Sequence, residues 1–365
     1  MKIGIDAREI QDKMTGISRY LTGFLKHISS SPHEYFLYYS QVPQNKLNYP
    51  KAQVRILKGK QFVWDHILLP KALAKDHIDL FFSPYYKRPW SLKCKSIVTV
   101  HDINPLFIRS YSFFYKHYFK TILRRSLSCA DYIMVVSRYV KDELIELFNA
   151  DPEKIIVNYN ALDKSFITAN SDAFESRVLE KYKIKTDYIL YVGNLMPHKN
   201  VSLLIKAYSG LPKGLKDKYK LVIAGGRNWT YQQQLELSRE LGLENSIIFA
   251  GFIDDEALAS IYRRASLFVF PSLREGFGFP PLESMGCGIP VVASRATSLP
   301  EIIGDAGILV NPSDVGGFTK AMEKVLNDES LQNELAERGL KRAKEFSTEK
   351  MAAVLFSVFE KLSYG

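Results

Sequence analysis

Short apolar segments alternate with longer amphipathic segments along almost the whole chain. Each apolar segment is a nearly continuous run of Val, Ile, Leu and Phe, which is typical of strands buried on both faces of a parallel sheet. Strands that alternate with helices in this way predict doubly wound α/β sheets. The predicted strands are Lys2–Ala7, Tyr35–Tyr39, Val54–Leu57, Leu80–Ser83, Ser96–His101, Tyr132–Ser137, Ile155–Tyr159, Tyr188–Gly193, Lys220–Gly225, Ile247–Gly251, Leu267–Pro271, Pro290–Ser294 and Gly307–Val310.

The 365 residues are enough for two domains, and 46% of them are hydrophobic, which allows a core in each. A polar, turn-prone stretch at residues 169–173 separates the two series of strands and helices. We predict a first domain at residues 1–165 and a second at residues 166–347, with a last helix at residues 348–365 that packs back on the first. Two doubly wound, Rossmann-like domains are expected to face a central cleft, with ligands at the carboxyl ends of their strands.

Positive charge is concentrated in one segment. The formal net charge is +10, and residues 51–130 hold 15 Lys and Arg against 4 Asp and Glu. Aromatic and basic residues alternate at helical spacing over Tyr111–Arg125. Two interpretations stay open: a helix on an anionic membrane surface, and a helix with a core-facing aromatic stripe and a solvated basic face. No nucleic-acid-binding motif accompanies the charge, so nucleic acid is not predicted as a partner.

The three cysteines, Cys94, Cys129 and Cys287, lack the spacing of metal ligands. They predict reduced thiols in a cytoplasmic protein. The sequence has neither the apolar run of a signal peptide nor a stretch of about 20 apolar residues that would span a membrane. We therefore expect a cytoplasmic chain, either soluble or peripheral on the inner face of the cytoplasmic membrane.

The strongest functional signal lies between two predicted strands, at residues 271–290. A glycine-rich loop follows the first of these strands, and a helix is predicted to begin at Pro280 or Pro281, because proline suits the first helical turn. Gly276 and Gly278 allow backbone N–H groups to approach a ligand closely. The N-terminus of a helix beside such a loop favours phosphate.

Two carboxylates belong to the same segment. Glu275 lies in the loop and Glu283 lies about one turn into the predicted helix, eight positions later. At this spacing both can face the cleft, one towards a sugar and the other towards a ribose. The segment therefore predicts a site for phosphate and hydroxyl groups.

This segment resembles the E-x7-E signature of the family-four retaining glycosyltransferases, which have the GT-B fold. The similarity covers nearly the whole chain and is densest over residues 188–313. Further matching segments in the second half are Tyr191–Asn200, Leu221–Gly226, Ile248–Phe252 and Ser298–Ile303. Those in the first half are Thr15–Tyr20, Val98–Asp102, Val136–Ser137 and Asn160–Asp163. The resemblance implies a first domain that binds the acceptor and a second that binds a nucleotide sugar.

The resemblance also implies roles for individual residues of the second domain. Glu275 would hold hydroxyl groups of the donor sugar, together with backbone N–H groups of Gly276, Phe277, Gly278 and Phe279. Glu283 would bind the ribose.

Three further positions are expected to contact the donor. Lys199 would neutralise the departing diphosphate, where a compact cation stabilises developing negative charge. His101, at the end of its strand, would contact the sugar near the anomeric carbon. Gly16 begins a predicted helix whose N-terminus offers a second place for phosphate.

One position departs from the family pattern. Many members carry Arg where this chain has Asn194, and asparagine cannot supply the bidentate charged contacts of a guanidinium. Either Lys199 carries the phosphate charge alone, or another cation such as His198 or Arg227 helps.

Structural interpretations compete at several of these positions. His101 can be a satisfied structural histidine, and Lys199 a surface lysine. Asp102 is expected to orient His101 or to cap a turn. Glu301 matches a family position, but an acid in the first turn of a helix explains it equally well.

The expected reaction transfers a hexose with retention of configuration. Both motif acids are assigned to hydroxyl groups, so no carboxylate remains as a nucleophile, and we expect front-face substitution aided by the leaving phosphate. Neither a metal nor another cofactor is expected, since no Asp-x-Asp motif follows a strand and Asp254-Asp255 is predicted to start a helix.

The local similarity is greatest to bacterial mannosyl- and rhamnosyltransferases of lipopolysaccharide and O-antigen assembly. It favours GDP-mannose or a related GDP-sugar as donor and a glycan or lipid-linked oligosaccharide as acceptor, with UDP-glucose or UDP-N-acetylglucosamine as the alternative donor. Other candidates are an epimerase or phosphorylase on the same architecture and a catalytically idle subunit that binds nucleotide sugar. A dehydrogenase is disfavoured, because no G-x-G-x-x-G follows the first strand.

Overall fold

A computed structural model describes residues 1–12, 15–43, 49–108, 110–226 and 230–364. Contacts divide the chain into two compact units, one formed by Met1–Ala161 with Ser347–Gly365 and the other by Leu162–Phe346. The observed division after residue 161 lies close to the predicted boundary at 165. The assignment of acceptor and donor binding to the two units stays a prediction.

The first unit contains a parallel sheet of seven strands in the order β3-β2-β1-β4-β5-β6-β7 among the described residues. The strands are β1 (Lys2–Asp6), β2 (Glu34–Tyr39), β3 (Ala52–Ile56), β4 (Leu80–Ser83), β5 (Lys95–Val100), β6 (Tyr132–Val135) and β7 (Ile155–Val157). The helices are α1 (Gly16–Leu25), α2 (Gln61–Val63), α3 (Leu69–Lys75), α4 (Phe113–Cys129) and α5 (Arg138–Phe148). A π-helical turn, Trp64–Leu68, joins α2 to α3, and short 3-10 turns lie at Arg8–Ile10, Ile28–Ser30, Asn104–Leu106 and Pro152–Lys154.

The second unit contains a parallel sheet of six strands in the order β10-β9-β8-β11-β12-β13, again counted over the described part of the chain. The strands are β8 (Tyr188–Val192), β9 (Lys220–Ala224), β10 (Ile247–Gly251), β11 (Leu267–Phe270), β12 (Val291–Ser294) and β13 (Gly307–Val310). The helices are α6 (Asp172–Lys181), α7 (Val201–Ser209), α8 (Lys213–Lys218), α9 (Tyr231–Glu240), α10 (Asp255–Arg263), α11 (Phe279–Gly286), α12 (Leu299–Ile303), α13 (Val315–Asn327) and α14 (Glu329–Ala343). The 3-10 turns are Lys164–Phe166 and Pro197–Lys199.

These strands confirm the predicted doubly wound sheets. Most predicted strand ends fall within one or two residues of the observed ends, because the buried strands are continuous apolar runs. The strand β3 begins at Ala52, two residues before its predicted start. It is the edge strand beside β2 and is half exposed, so its start carries no apolar signal.

The last helix, α15 (Thr348–Tyr364), belongs to the first unit. Leu355 and Phe359 on this helix are fully buried, in the same core cluster as Phe24 of α1. The rings of Phe24 and Phe359 pack edge-on with 5.8 Å between their centroids. The core of the first unit is therefore built from both ends of the chain.

In each sheet, the parallel strands bring their carboxyl ends to one edge, where ligands of such sheets bind. In the first unit β1, β4 and β5 are neighbours, and in the second β8 and β11 are neighbours. Polar residues that follow these strands are therefore brought close together. Among the described residues, none of the helices combines the length and the apolar character that crossing a membrane requires.

Candidate active site

Lys199 and Glu275 form an ion pair in the second unit. Lys199 follows β8 and Glu275 follows β11, its neighbour in the sheet. The Nζ atom of Lys199 lies 2.6 Å from Oε1 of Glu275, and both side chains are largely buried. The Lys199 ammonium also lies 5.4 Å from the ring centroid of Phe270 at the end of β11. The structure thus brings together two residues for which the sequence predicts complementary roles.

A tight loop holds Lys199 in place. The 3-10 turn Pro197–Lys199 ends at Asn200, whose φ of 58° lies in the left-handed region that asparagine tolerates. The Asn200 side-chain amide donates to the carbonyl oxygens of Pro271 at 3.2 Å and Pro312 at 2.9 Å. It therefore ties the lysine loop to the segment that precedes Glu275. This positioning role of Asn200 was not predicted, because the sequence shows only an asparagine directly after the lysine.

Two hydroxyl side chains hold the backbone of Glu275. Its N–H donates to Oγ1 of Thr297 at 2.9 Å, and the hydroxyl of Ser298 lies 3.1 Å from its carbonyl oxygen. The same Ser298 hydroxyl lies 2.9 Å from the carbonyl oxygen of Phe277. Thr297 has a φ of 50°, which is strained for a β-branched residue and is typical of functional sites. The contact of Thr297 with Glu275 was not predicted, because no local sequence pattern marks a threonine in the left-handed conformation.

The glycine-rich loop makes a sharp entry into α11. Gly278 has a φ of 109°, and a Cβ atom at this position would lie 2.7 Å from Cδ2 of Leu299. Helix α11 begins at Phe279, one residue before the earlier of its two predicted starts. The ring of Phe277 is buried and packs edge-on against Phe346. The loop is therefore fixed by packing as well as by glycine conformation.

Glu283 is buried inside α11, with 2% of its surface exposed. Its Oε2 accepts a hydrogen bond of 3.0 Å from the hydroxyl of Tyr262 on α10. This contact orients the carboxylate. The predicted contact of Glu283 with a ribose stays a prediction.

Lys199 brings a positive charge to Glu275 at the start of the glycine-rich loop. Burial, with a smaller effect of the Lys199 charge, lowers the pKa of His198 to about 4, so its ring is neutral at neutral pH. Its Nδ1 is buried without a hydrogen-bond partner among the described residues. The sequence left open His198 or Arg227 as a second cation. A neutral ring disfavours His198 as that cation, which stays a prediction, and Arg227 lies outside the described residues.

Asn194 lies at the end of the glycine turn that follows β8 and is exposed. Its carbonyl oxygen accepts a hydrogen bond of 3.1 Å from the hydroxyl of Tyr191. A neighbouring turn approaches closely, since a Cβ atom on Gly225 would lie 1.9 Å from the carbonyl oxygen of Gly193. The backbone here leaves no room for a side chain at Gly225.

In the first unit, His101 follows β5 and is packed against Tyr20, with ring centroids 5.2 Å apart. Its Nε2 lies 2.9 Å from the carbonyl oxygen of Pro84. A carbonyl can only accept, so Nε2 carries the proton. Burial lowers the pKa of His101 to about 4, so the ring is neutral and Nδ1 is left as an acceptor. The ring can therefore accept a hydroxyl proton in a hydrogen bond, which suits contact with a sugar.

The remaining predicted positions lie at helix and turn starts. Gly16 is the first residue of α1, and Thr15 and Ser18 form a capping box around it. Oδ1 of Asp102 accepts from the backbone N–H of Asn104 at 2.8 Å, so this carboxylate caps a turn. Glu301 lies in the first turn of α12.

Similarity to known proteins decides the family. The model for Glycosyltransferase Family 4 matches residues 14–166, and the model for Glycosyl transferases group 1 matches residues 174–342. O-antigen chain mannosyltransferase B of Escherichia coli is 31% identical to this chain, and the aligned region covers 99% of this chain and 100% of that protein. The chain belongs to glycosyltransferase family four.

Other relatives of this family-four glycosyltransferase differ in length. A serotype-specific mannosyltransferase of Escherichia coli, WbdA, is 34% identical to this chain. The aligned region covers 75% of this chain but only 34% of WbdA. The chain therefore spans about a third of that longer relative.

Solved structures establish the fold of the transferase. Sucrose-phosphate synthase from Thermosynechococcus elongatus matches it with a TM-score of 0.82 and 19% identity, over 100% of this chain and 99% of that one. Anabaena HepE, in complex with UDP and glucose, matches with a TM-score of 0.78 and 18% identity, over 99% and 100% of the two chains. At this identity the likeness concerns the fold, which is GT-B with two Rossmann-like domains.

Within the described part of the transferase, no three His, Cys, Asp or Glu side chains are grouped so that they could hold a metal ion.

Proposed function

We propose that this glycosyltransferase moves mannose from GDP-mannose to a glycan or lipid-linked acceptor, with retention of configuration, in the synthesis of O-antigen-like surface polysaccharide. The observation that carries the proposal is the buried Lys199–Glu275 pair at the carboxyl ends of adjacent strands. The full-length similarity to an O-antigen mannosyltransferase supports the choice of sugar.

The donor is bound by the second unit in this proposal. Glu275 accepts hydrogen bonds from the sugar hydroxyls, to which the N–H groups of residues 276–279 also donate, and the N-terminus of α11 favours the phosphates. Glu283 accepts from the ribose hydroxyls. Lys199 turns its ammonium from Glu275 towards the diphosphate as negative charge develops there.

Four further residues complete the proposed donor contacts. His101 accepts from a sugar hydroxyl through Nδ1, as its neutral ring allows. The N-terminus of α1 at Gly16 lies near the phosphates when the donor is bound. Asn194 contributes its side-chain amide as a neutral donor, and Arg227 contributes positive charge.

The proposed reaction is a front-face substitution. The bond from the anomeric carbon to the phosphate oxygen breaks, and the acceptor oxygen forms its bond to that carbon on the same face. The proton of the acceptor hydroxyl passes to the departing phosphate oxygen, so that charge and atoms balance. Lys199 and the oriented amides stabilise the leaving diphosphate, so neither a metal nor a carboxylate nucleophile is required. Isolation of a sugar covalently bound to Glu275 would contradict this route.

A membrane surface is the proposed location of the acceptor. Helix α4 buries Phe119 and Leu123, whereas Phe113 and Phe114 at its start are 78% and 84% exposed. The core-facing stripe and the exposed aromatic end are thus separate parts of one helix. Arg125 of α4 also contacts the backbone of Trp90, whose ring is exposed. Exposed aromatic rings among basic residues fit the inner, anionic face of the cytoplasmic membrane.

Thermal unfolding with a panel of nucleotides and nucleotide sugars tests the proposed donor. A ligand that binds only the folded state stabilises it by about 3 kcal/mol at a hundredfold excess over Kd. We expect the midpoint to rise with GDP and GDP-mannose in the parent chain and in the control variant Glu337→Ala, an exposed site on α14. In Glu283→Ala we expect the midpoint with ligand to equal the midpoint of the same variant without ligand.

Other outcomes of this panel are equally informative. A rise with UDP compounds alone would keep the enzyme and replace the sugar donor by UDP-glucose or UDP-N-acetylglucosamine. No rise with any nucleotide would support an idle subunit and overturn the proposal. With the donor established, the anomeric configuration of the product by NMR tests retention, and activity in the presence of EDTA tests metal independence.

A further inference from the structure

Three neighbouring strands of the first unit are followed by residues that can contact a sugar. Glu9 follows β1, Tyr85 follows β4 and His101 follows β5, and these strands are adjacent in the order β1-β4-β5. Their parallel direction places all three residues at one edge of the sheet. Glu9 and Tyr85 have no part in the donor contacts proposed above.

The cations at this edge are balanced by carboxylates. The guanidinium of Arg8 lies 2.6 Å from Oδ2 of Asp6 and 2.7 Å from Oδ1 of Asp65, and it stacks on the ring of Trp64 at 3.6 Å. The Nζ atom of Lys87 lies 3.9 Å from Oδ2 of Asp65. Neither cation is therefore left to attract an anion alone.

Glu9 is the exception in this network. It is half-buried, and among the described residues its carboxylate makes no hydrogen bond. Burial, together with the charge of Asp6, raises the pKa of Glu9, while Arg8 and Lys87 lower it. A partly desolvated carboxylate without hydrogen-bond donors costs free energy, which the hydroxyl groups of a ligand can recover.

Tyr85 follows the strand next to β1 and is half-buried. Its ring lies 4.2 Å from that of Tyr86 between centroids. Burial raises the pKa of Tyr85, and the nearby charge of Glu9 adds to this effect. A tyrosine with an apolar face and a polar tip matches a sugar ring, which presents C–H groups on its faces and hydroxyl groups at its rim.

The position of Tyr85 is tied to His101. The ring of His101 donates to the carbonyl oxygen of Pro84, the residue directly before Tyr85. The backbone of Tyr85 also accepts from the N–H of Thr99, two residues before His101. The proposed function puts His101 near the anomeric carbon, which the acceptor hydroxyl must reach. This step rests on that proposal.

We propose that Glu9 and Tyr85 bind the acceptor as an uncharged sugar and that this edge of the sheet rejects a phosphorylated acceptor. Glu9 accepts hydrogen bonds from two sugar hydroxyls, and the ring and hydroxyl of Tyr85 contact the sugar face. Asp6, Glu9 and Asp65 exceed the cations Arg8 and Lys87 by one negative charge. A phosphate group here therefore meets repulsion as well as unpaired acceptors.

Transfer to mannobiose and to mannose 6-phosphate tests this proposal, with the donor that the nucleotide panel identifies. The full-length parent chain is expected to use mannobiose and to discriminate against mannose 6-phosphate. Glu9→Gln raises KM for mannobiose about tenfold or more, because a hydrogen bond to a charged group is lost. Glu9→Gln also reduces the preference for mannobiose over mannose 6-phosphate. The donor midpoint shift is unchanged, since Glu9 is not among the proposed donor contacts.

Tyr85→Phe is the second variant, because it removes one oxygen atom and keeps the ring. We expect KM for mannobiose to rise about two- to tenfold, as for a neutral hydrogen bond. Glu360→Gln, at an exposed site on α15, is the matched control and keeps the parent's KM. Unfolding midpoints identify any variant that is not folded at the assay temperature.

Direct binding of mannobiose by NMR, with the nucleoside diphosphate present, decides the case if transfer is not observed. Binding by the parent that is lost in Glu9→Gln supports the proposal. It is overturned by parental KM and binding in both variants, by equal use of mannose 6-phosphate, or by a parent that binds nucleotide but no neutral sugar. Absence of nucleotide binding in the parent would instead refute the proposed function.

Discussion

Lys199 and Glu275 reach each other only because other residues fix the loops on which they lie. Asn200 joins the lysine loop to the end of β11, and Thr297 and Ser298 hold the backbone of Glu275. The ion pair, with 2.6 Å between Nζ and Oε1, holds both charges in a largely buried position. Preorganised charge of this kind is the main way in which such sites stabilise a leaving group.

Ser298→Ala tests this support. The carbonyl oxygens of Glu275 and Phe277 lose a buried partner, so we expect the free energy of unfolding of the second unit to fall by about 1–3 kcal/mol. The kcat for sugar transfer falls as well, because Glu275 is less firmly held. Thermal denaturation and transfer assays measure the two effects, with Ser313→Ala, at an exposed site, as control. A Ser298→Ala variant with parental stability and rate would show that the hydroxyl has no supporting role.

Among the elements of the fold, the sequence predicts the strands and helices that leave a recurring apolar pattern. It does not predict contacts that single residues make with distant loops. The strands were predicted because burial on both faces leaves a continuous apolar run, and α15 because burial on one side leaves an apolar stripe at helical spacing. Glu275 and Lys199 could be identified from a motif and from their place after strands. Thr297 and Asn200 could not, because a left-handed residue that bonds a distant loop has no neighbouring pattern. The raised pKa of Glu9 depends on packing that only the structure shows.

Substitution of Leu355 tests the packing of α15 in the core of the first unit. It is fully buried in the core of the first unit, so Leu355→Ala should lower the free energy of unfolding by about 2–5 kcal/mol. Ser357→Ala, on the exposed side of the same helix, is expected to change it by less than about 0.5 kcal/mol. Denaturation followed by tryptophan fluorescence measures both, since Trp64 and Trp90 report on the first unit. Equal effects of the two substitutions would contradict the assignment of α15 to this core.

At the scale of the whole molecule, the question is where the transferase acts. Flotation with vesicles that contain anionic lipid tests the proposed surface on α4. We expect association at low salt that is lost at high salt, because screening weakens the attraction of the basic residues. The double substitution Phe113→Ser with Phe114→Ser removes the exposed rings and should abolish it. Phe252→Ser, at an exposed site in the second unit, is the control. Absence of association at low salt, or equal loss in the control, would refute the membrane proposal.

The participation of α15 in the first core also has a consequence for biosynthesis. Helix α15 follows the second unit in the sequence, so residues 162–346 are all translated before it. The first unit therefore cannot close its core until α15 has been made, whereas the second unit can fold earlier, as domains generally fold as units. A nascent chain that stalls before α15 would expose apolar side chains of the first unit to chaperones. The synthesis of α15 therefore sets the moment at which the first unit can close its core.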